Sequence, residues 1–415
     1  MSDPLKVHVR GPLVSLVIGF RGSLAASGYA PNTVSQQLQL IAHLSVWMLV
    51  NGLGTHDLSP STIEAFFRHR RSTHRHLRTP RALVPFVAFL DGEGLDRTVD
   101  PATPLSVAEG ILHRFGHYLS AERALRATTV ENYLNQARPF VEWRFGLVGE
   151  DLSTLTANEI TGFLQFRGVD ESVGSIRVAA TALRAFLCWT YLVQITPESL
   201  AGAIGPVAYS SYAGLPKALT TQQLQAVSGQ AAVAVLAPLR NLALVSVFSR
   251  MGLRSRETAE LRLDDIDWRA GTVFIAGKGG QTDVMPLPAD VGAALARYLK
   301  DERPSSQARE VFLQARAPHA PLGRSGVSMV VTCLGARAGI VPRIGAHRLR
   351  HTAATTVLAA GGSLTEAAQL LRHSSPVTTV IYAKVNLVAL RTLIRPWPGS
   401  PSAASNTLTD TGPLS

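Results

Sequence analysis

The first half of the chain carries an imperfect internal repeat, and that repeat restricts the architecture more than any other feature. Asn32-Thr-Val34 and Trp47 recur as Thr128-Thr-Val130 and Trp143, each 96 positions on. Leu58-Ser-Pro-Ser-Thr-Ile-Glu-Ala-Phe66 is matched by Leu155-Thr-Ala-Asn-Glu-Ile-Thr-Gly-Phe163 at an offset of 97, and Ala82, Leu83 and Phe86 by Ala182, Leu183 and Phe186 at 100. Landmarks that keep their order with so little drift point to two copies of one small helical unit rather than two unrelated Leu-rich bundles. The period is too long for a solenoid and two copies are too few for an array.

Composition bounds the rest. The chain has 415 residues, 46% hydrophobic and 17% charged, which excludes disorder, collagen and coiled coil. That length accommodates two to four domains. Cys188 and Cys333 are the only thiols and form no CxxC, so a disulfide framework or a Cys-based zinc site is not expected. The apolar stretches are too short or too interrupted to span a bilayer and no signal peptide is read, so a soluble, cytoplasmic protein with no membrane partner is expected. Forty Lys and Arg against 29 Asp and Glu give +11, mostly from Arg, which favours a phosphate-rich polyanion as partner.

Helical periodicity runs through Thr129 to Phe145 and Ala179 to Val193. The clearest strand signal is Gly271-Thr-Val-Phe-Ile-Ala276 and Asp283-Val-Met-Pro-Leu287 around the Gly-rich turn 277–281, a hairpin signature. The predicted division is 1–100, a helical repeat; 101–204, a second helical domain; 205–215, a linker of turn residues; 216–396, a mixed α+β domain; and 397–415, a disordered tail.

The chemistry-bearing residues all follow the linker. In Met251-Gly-Leu-Arg-Ser-Arg-Glu257 a Gly ends or kinks a helix, after which Arg254 could project into a cleft; most such Arg residues lie on the surface. Lys278 sits among glycines at the hairpin tip, where it could deliver a proton or a charge to a phosphate or simply be solvated. His347 and Arg350, three apart, share a helix face and could grip one anion. His373 precedes Ser375-Pro376, a good helix start, with Tyr382 about two turns inside that helix. Two Arg, one Lys, two His and one Tyr, with no carboxylate cluster of metal-ligand spacing, suit phosphoryl transfer without a metal: cations stabilise the phosphate charge while an oxygen nucleophile attacks.

These residues resemble the tyrosine recombinases, the phage-integrase and Xer family. Met251 to Glu257 resembles its first box, with the Arg at Arg254; Gly277-Lys-Gly-Gly280 with Met285-Pro-Leu287 resembles its Lys hairpin; His347-Arg-Leu-Arg-His-Thr352 resembles HxLRHT; and Leu371-Arg-His-Ser-Ser375 resembles LGHSS, nine residues before Tyr382. Arg372 stands where the family has Gly, which adds a cation near the phosphate site.

The resemblance implies mainly α N-terminal DNA-binding domains plus an α+β C-terminal catalytic domain. It implies that Tyr382 attacks a scissile phosphate to form a 3′-phosphotyrosyl bond, that Arg254, Arg350 and His373 hold the non-bridging oxygens, that Lys278 protonates the leaving 5′-oxygen, and that His347 assists proton transfer at the Tyr. The phosphotyrosyl bond conserves the phosphodiester energy, so no cofactor, ATP or metal is implied. The second helical domain resembles the family's core-binding clamp, with Arg177 and Arg184 as DNA contacts. The first repeat becomes an extra DNA-binding unit, its segment 68–81 holding six Arg in 14 residues. The expected partner is double-stranded DNA, bound as a homo-tetramer, or a hetero-tetramer with related recombinases, on two duplexes. A site-specific recombinase or integrase of a mobile element is the leading expectation; a type IB topoisomerase-like activity or a catalytically silent DNA-binding member are the alternatives.

Overall fold

The computed structural model describes residues 7–95, 106–149, 151–207, 218–277 and 282–372. Within them each half of the repeat is a run of four helices. The first copy comprises α1 (Val17–Ala26), α2 (Pro31–Val50), α3 (Pro60–Thr73) and α4 (Val84–Gly92); the second comprises α5 (Val107–His117), α6 (Ala127–Val148), α7 (Ala157–Asp170) and α8 (Val173–Leu192). Start signals explain the boundaries. Pro31 and Pro60 lie in the first turns of α2 and α3, and Ser59 Oγ accepts from the Thr62 N–H at 3.2 Å. Thr156 and Glu159 form a reciprocal capping box at α7.

Equivalent residues solve the same packing problem twice. Phe20 and Phe86 of the first copy are fully buried and meet edge to face at 5.0 Å and 74°; Phe115 and Phe186 of the second are fully buried and meet at 5.2 Å and 80°. Burying each such ring contributes about 1.5–3 kcal/mol.

By contacts the chain groups into two compact units. One comprises Met1–Asn51, Arg81–Glu93 and Gly214–Ser415; the other comprises Gly52–Pro80 and Gly94–Ala213. In the latter, Phe115, Phe140, Phe163, Phe186 and Trp189 form an aromatic core. Beside it the buried Arg144 is balanced by Glu159 at 3.1 Å and donates to Thr154 Oγ1 at 2.9 Å.

Beyond residue 218 the elements are α9 (Thr221–Ala232), α10 (Pro238–Ser246), α11 (Ser255–Glu260), β1 (Ile266–Asp267), β2 (Thr272–Ala276), β3 (Thr282–Pro286), α12 (Ala289–Asp301), α13 (Arg324–Arg337), α14 (Ala346–Ala359) and α15 (Leu364–Leu371). The strands form one antiparallel sheet in the order β1-β2-β3, with Val273 opposite Met285 and Phe274 opposite Val284. Its pleat is one-sided: Val273, Ile275 and Met285 are buried while Phe274 and Val284 face outward. Helices α10 and α12 are tied by Glu302, whose carboxylate accepts from the Leu239 and Arg240 N–H groups at the start of α10. The core joins Phe248, Leu295, Tyr298, Phe312, Val331 and Leu349. Among the described residues no helix is long and apolar enough to cross a membrane.

Candidate active site

Helix α10 does not simply stop. It widens into a π-turn at Val247–Met251, an element often found at functional sites, and Gly252 then reverses the chain in the left-handed region at φ +61°. A side chain at 252 would be strained twice, because a Cβ there would lie 2.9 Å from Leu371 Cδ2 and 3.4 Å from Ala353 Cβ. The reversal delivers Arg254 to the N-cap of α11. There Glu257 takes the Arg254 N–H on Oε2 at 2.8 Å and Nη1 on Oε1 at 2.6 Å. The guanidinium stays 45% exposed, and its Nη2 donates to the Arg372 carbonyl at 3.3 Å.

On α14, Leu349, Ala353 and Ala354 face the interior and carry Arg350 with them, 3% exposed. Its fork bridges two carbonyls, with Nη1 donating to Gly252 O and Nη2 to Leu371 O. One turn earlier His347 packs its ring on His351, centroids 4.2 Å apart at 71°. The ring keeps one side in solvent. Desolvation of the packed side, then the Arg350 and Arg254 charges, hold its pKa below the usual imidazole value of 6.5.

Helix α15 ends on Arg372, whose backbone takes the left-handed C-cap at φ +49° that glycine would adopt freely. The extra cation expected at Arg372 does not stand open to solvent. The Arg372 side chain is 8% exposed, pairs through Nη2 with Glu257 Oε2, contacts Met285 Sδ, and lies 3.6 Å from Asp283. Burial raises the Glu257 carboxyl, but the Arg254 N–H and the Arg372 and Arg254 guanidinia outweigh it, and the net shift is downward. Neither Glu257 nor the contact made by Arg372 was singled out in the sequence; the signal available was Arg and Glu three apart at a helix start.

The structure therefore brings Arg254, His347 and Arg350 together. Lys278, His373 and Tyr382 lie outside the described residues. In the second unit, Arg177 is exposed on α8 in a groove with Asn132 and Tyr133 of α6. Arg184 instead turns inward, donating to Ile204 O at 3.1 Å and Gly205 O at 2.8 Å.

Residues 217–387 match the phage integrase family, and residues 112–193 match the phage integrase N-terminal SAM-like domain. A Sinorhizobium fredii protein, y4rA, named as an integrase/recombinase, is 34% identical over 94% of this chain and 95% of its own length. The chain is a tyrosine recombinase of the phage integrase family. The tyrosine recombinase XerD of Mycobacterium tuberculosis is 30% identical to this recombinase over 68% of the chain and 94% of XerD. Among solved structures, XerH bound to its palindromic difH substrate aligns over 95% of the recombinase and 98% of XerH, with TM-score 0.53 and 17% identity. A lambda integrase dimer bound to a core site aligns over 78% of the recombinase and 85% of the integrase, with TM-score 0.54 and 18% identity. These likenesses fix the fold, and family membership fixes the reaction: the recombinase cuts and exchanges DNA strands.

Proposed function

We propose that this recombinase acts site-specifically for a mobile element, with Arg254, Lys278, His347, Arg350, His373 and Tyr382 as its catalytic residues. The observation that carries the reading is the meeting of Arg254 and Arg350 at the backbone immediately before His373: Arg350 reaches Leu371 O, and Arg254 reaches Arg372 O. Arg254 would meet one phosphate there from the open side while the buried Arg350 adds its charge from behind, and together they would stabilise the developing charge. Tyr382 Oη attacks phosphorus, the P–O bond to the 5′-oxygen breaks, and Lys278 protonates that oxygen. His347, its pKa lowered, is neutral at pH 7 and can take the tyrosine proton. A 5′-hydroxyl from a second duplex then reverses the step.

The division at 100, 204 and 215, the tail at 397–415, a cytoplasmic location and a tetramer on two duplexes belong to the same proposal. Support for an assembly comes from lambda integrase, solved as a dimer bound to a core site and as a tetramer bound to a Holliday junction, and from XerH bound to its difH substrate. Arg177, beside Tyr133 in its groove, is the better candidate of the two α8 arginines for phosphate contact. In the basic segment, Arg71 and Arg78 bond each other's carbonyls and Arg70 bonds Leu77 O, which shapes a loop after α3 that exposes Arg75, with Arg68 exposed on α3 itself. That loop suits the extra DNA contact assigned to the first repeat.

The test is to incubate the protein with nicked duplex fragments tiled across its genomic neighbourhood, denature in SDS, and look for a protein–DNA adduct beside Tyr382→Phe. An adduct that vanishes in the variant is expected. Salt-sensitive binding without any adduct would favour the catalytically silent reading, and relaxation of supercoiled plasmid without strand exchange would favour the topoisomerase-like one.

A further inference from the structure

Two guanidinia share one buried carboxylate in this site, and only one of them is expected from the family pattern. Glu257, 6% exposed, receives Arg254 from its own turn and Arg372 from the end of α15. The two cations are not equivalent: Arg254 keeps 45% of its side chain in solvent, whereas Arg372 keeps 8%. Arg372 therefore grips the carboxylate from the protein side and leaves Arg254 on the open side. The same side chain touches Met285 and approaches Asp283, so it also ties the end of α15 to β3. An arginine at a left-handed C-cap carries a steric penalty that glycine does not, so the backbone gains nothing from it. The compensation lies in what the side chain holds.

We propose that Arg372 is a positioning residue for strand cleavage, clamping Glu257 from behind so that Glu257 aims Arg254, and locking the chain that enters His373 against the hairpin strand. The proposal rests on the catalytic reading of Arg254. The charged groups facing Glu257 are Arg254 on its own element and Arg372 from α15, with Asp283 of β3 on the far side of Arg372. Removing Arg372 leaves Glu257 one cation poorer, so its carboxylate protonates at higher pH and releases Arg254 earlier on the acid side.

The experiment measures the rate of covalent adduct formation and the affinity for a nicked duplex carrying the cleaved site. Wild type, Arg372→Gly, Arg372→Lys, Glu257→Gln, Glu257→Gln/Arg372→Gly and Arg254→Ala are compared from pH 5.5 to 8.5. Arg372→Gly relieves the left-handed backbone, so it is expected to fold. Its adduct rate should fall about 10- to 100-fold, the scale of a misplaced catalytic group, with affinity changed by no more than about 2-fold and the acid limb moved to higher pH. Arg372→Lys keeps the charge but not the fork, and should recover part of the rate. In the Glu257→Gln background, Arg372→Gly should have little further effect. Arg372→Gly matching wild type in rate and acid limb while Arg254→Ala is inactive would overturn the proposal, as would full additivity of the two substitutions. Arg254→Ala that still forms the adduct at the wild-type rate would instead sink the catalytic reading on which the proposal stands.

Discussion

Replacing Gly252 by Ala tests the frame that holds the two arginines. The φ of +61° costs a residue with a Cβ about 1–2 kcal/mol. The new methyl would also lie 2.9 Å from Leu371 Cδ2. Leu371 is fully buried beside Ala354, Leu358 and Ala367, so its side chain must repack to admit the methyl. Overpacking of that kind adds about 1–3 kcal/mol. The total of about 2–5 kcal/mol corresponds to roughly 5–15 °C in Tm for a cooperative unit of this size. The shift cannot stay local, because Gly252 O and Leu371 O are the two carbonyls that Arg350 bridges. Thermal unfolding of Gly252→Ala should show the lowered Tm, and the SDS adduct assay at a temperature where the variant remains folded should show slower cleavage. A Tm within about 2 °C of wild type together with an unchanged adduct rate would refute the reasoning.

Arg350→Lys replaces a fork by one ammonium that cannot span both carbonyls, so the adduct rate should drop about 10²- to 10³-fold in a single-turnover cleavage assay. His347 has a folded pKa below its unfolded value near 6.5, so protonation opposes folding and its contribution to stability falls as pH drops from about 6.5 toward the folded pKa. Tm measured between pH 7.5 and 5.5 should therefore decline less in His347→Asn than in wild type. For DNA binding, Arg177→Ala should reduce the slope of log K against log salt by about 1, while Arg184→Ala should change it less. Arg184→Ala should instead lower stability by about 0.5–1.5 kcal/mol in urea denaturation, since it removes the donor from the part-buried Ile204 carbonyl and the exposed Gly205 carbonyl.

Periodic, local features were legible in the sequence. The run from Thr129 to Phe145 lies inside α6 even though Pro139 interrupts its hydrogen bonds, and the hairpin strands were read to within a residue or two. The strand β1 was missed because two residues carry no alternation. The most regular repeat landmarks, Leu58, Phe66, Leu83 and Phe86 with Leu155, Phe163, Leu183 and Phe186, are core positions where packing constrains identity, and Phe20 with Phe86 and Phe115 with Phe186 hold equivalent geometry. Long-range pairing was not legible. Nothing local says that Arg372 reaches Glu257, 115 positions away, or that Arg184 turns toward the backbone at Ile204. Such contacts depend on how helices pack, which neither period nor spacing encodes. Charge counting likewise says nothing of the hydrogen bonds by which Arg70, Arg71 and Arg78 hold their own loop.

The antiparallel ribbon of β2 and β3 behaves mechanically as a lever arm. Its base is fixed, since the Leu287 N–H bonds Gly271 O and Val273 and Met285 are buried in the core. Each strand has five residues, so the arm extends roughly 16 Å from that base. A tilt of roughly 5° at the base displaces the far end by about 1.4 Å on an arm of this length, the scale on which a positioned catalytic group loses its effect. With Lys278 as the proposed acid, its placement is an angular problem solved at the base, and conservative changes at Val273 or Met285 should alter the timing of leaving-group protonation without touching a catalytic side chain.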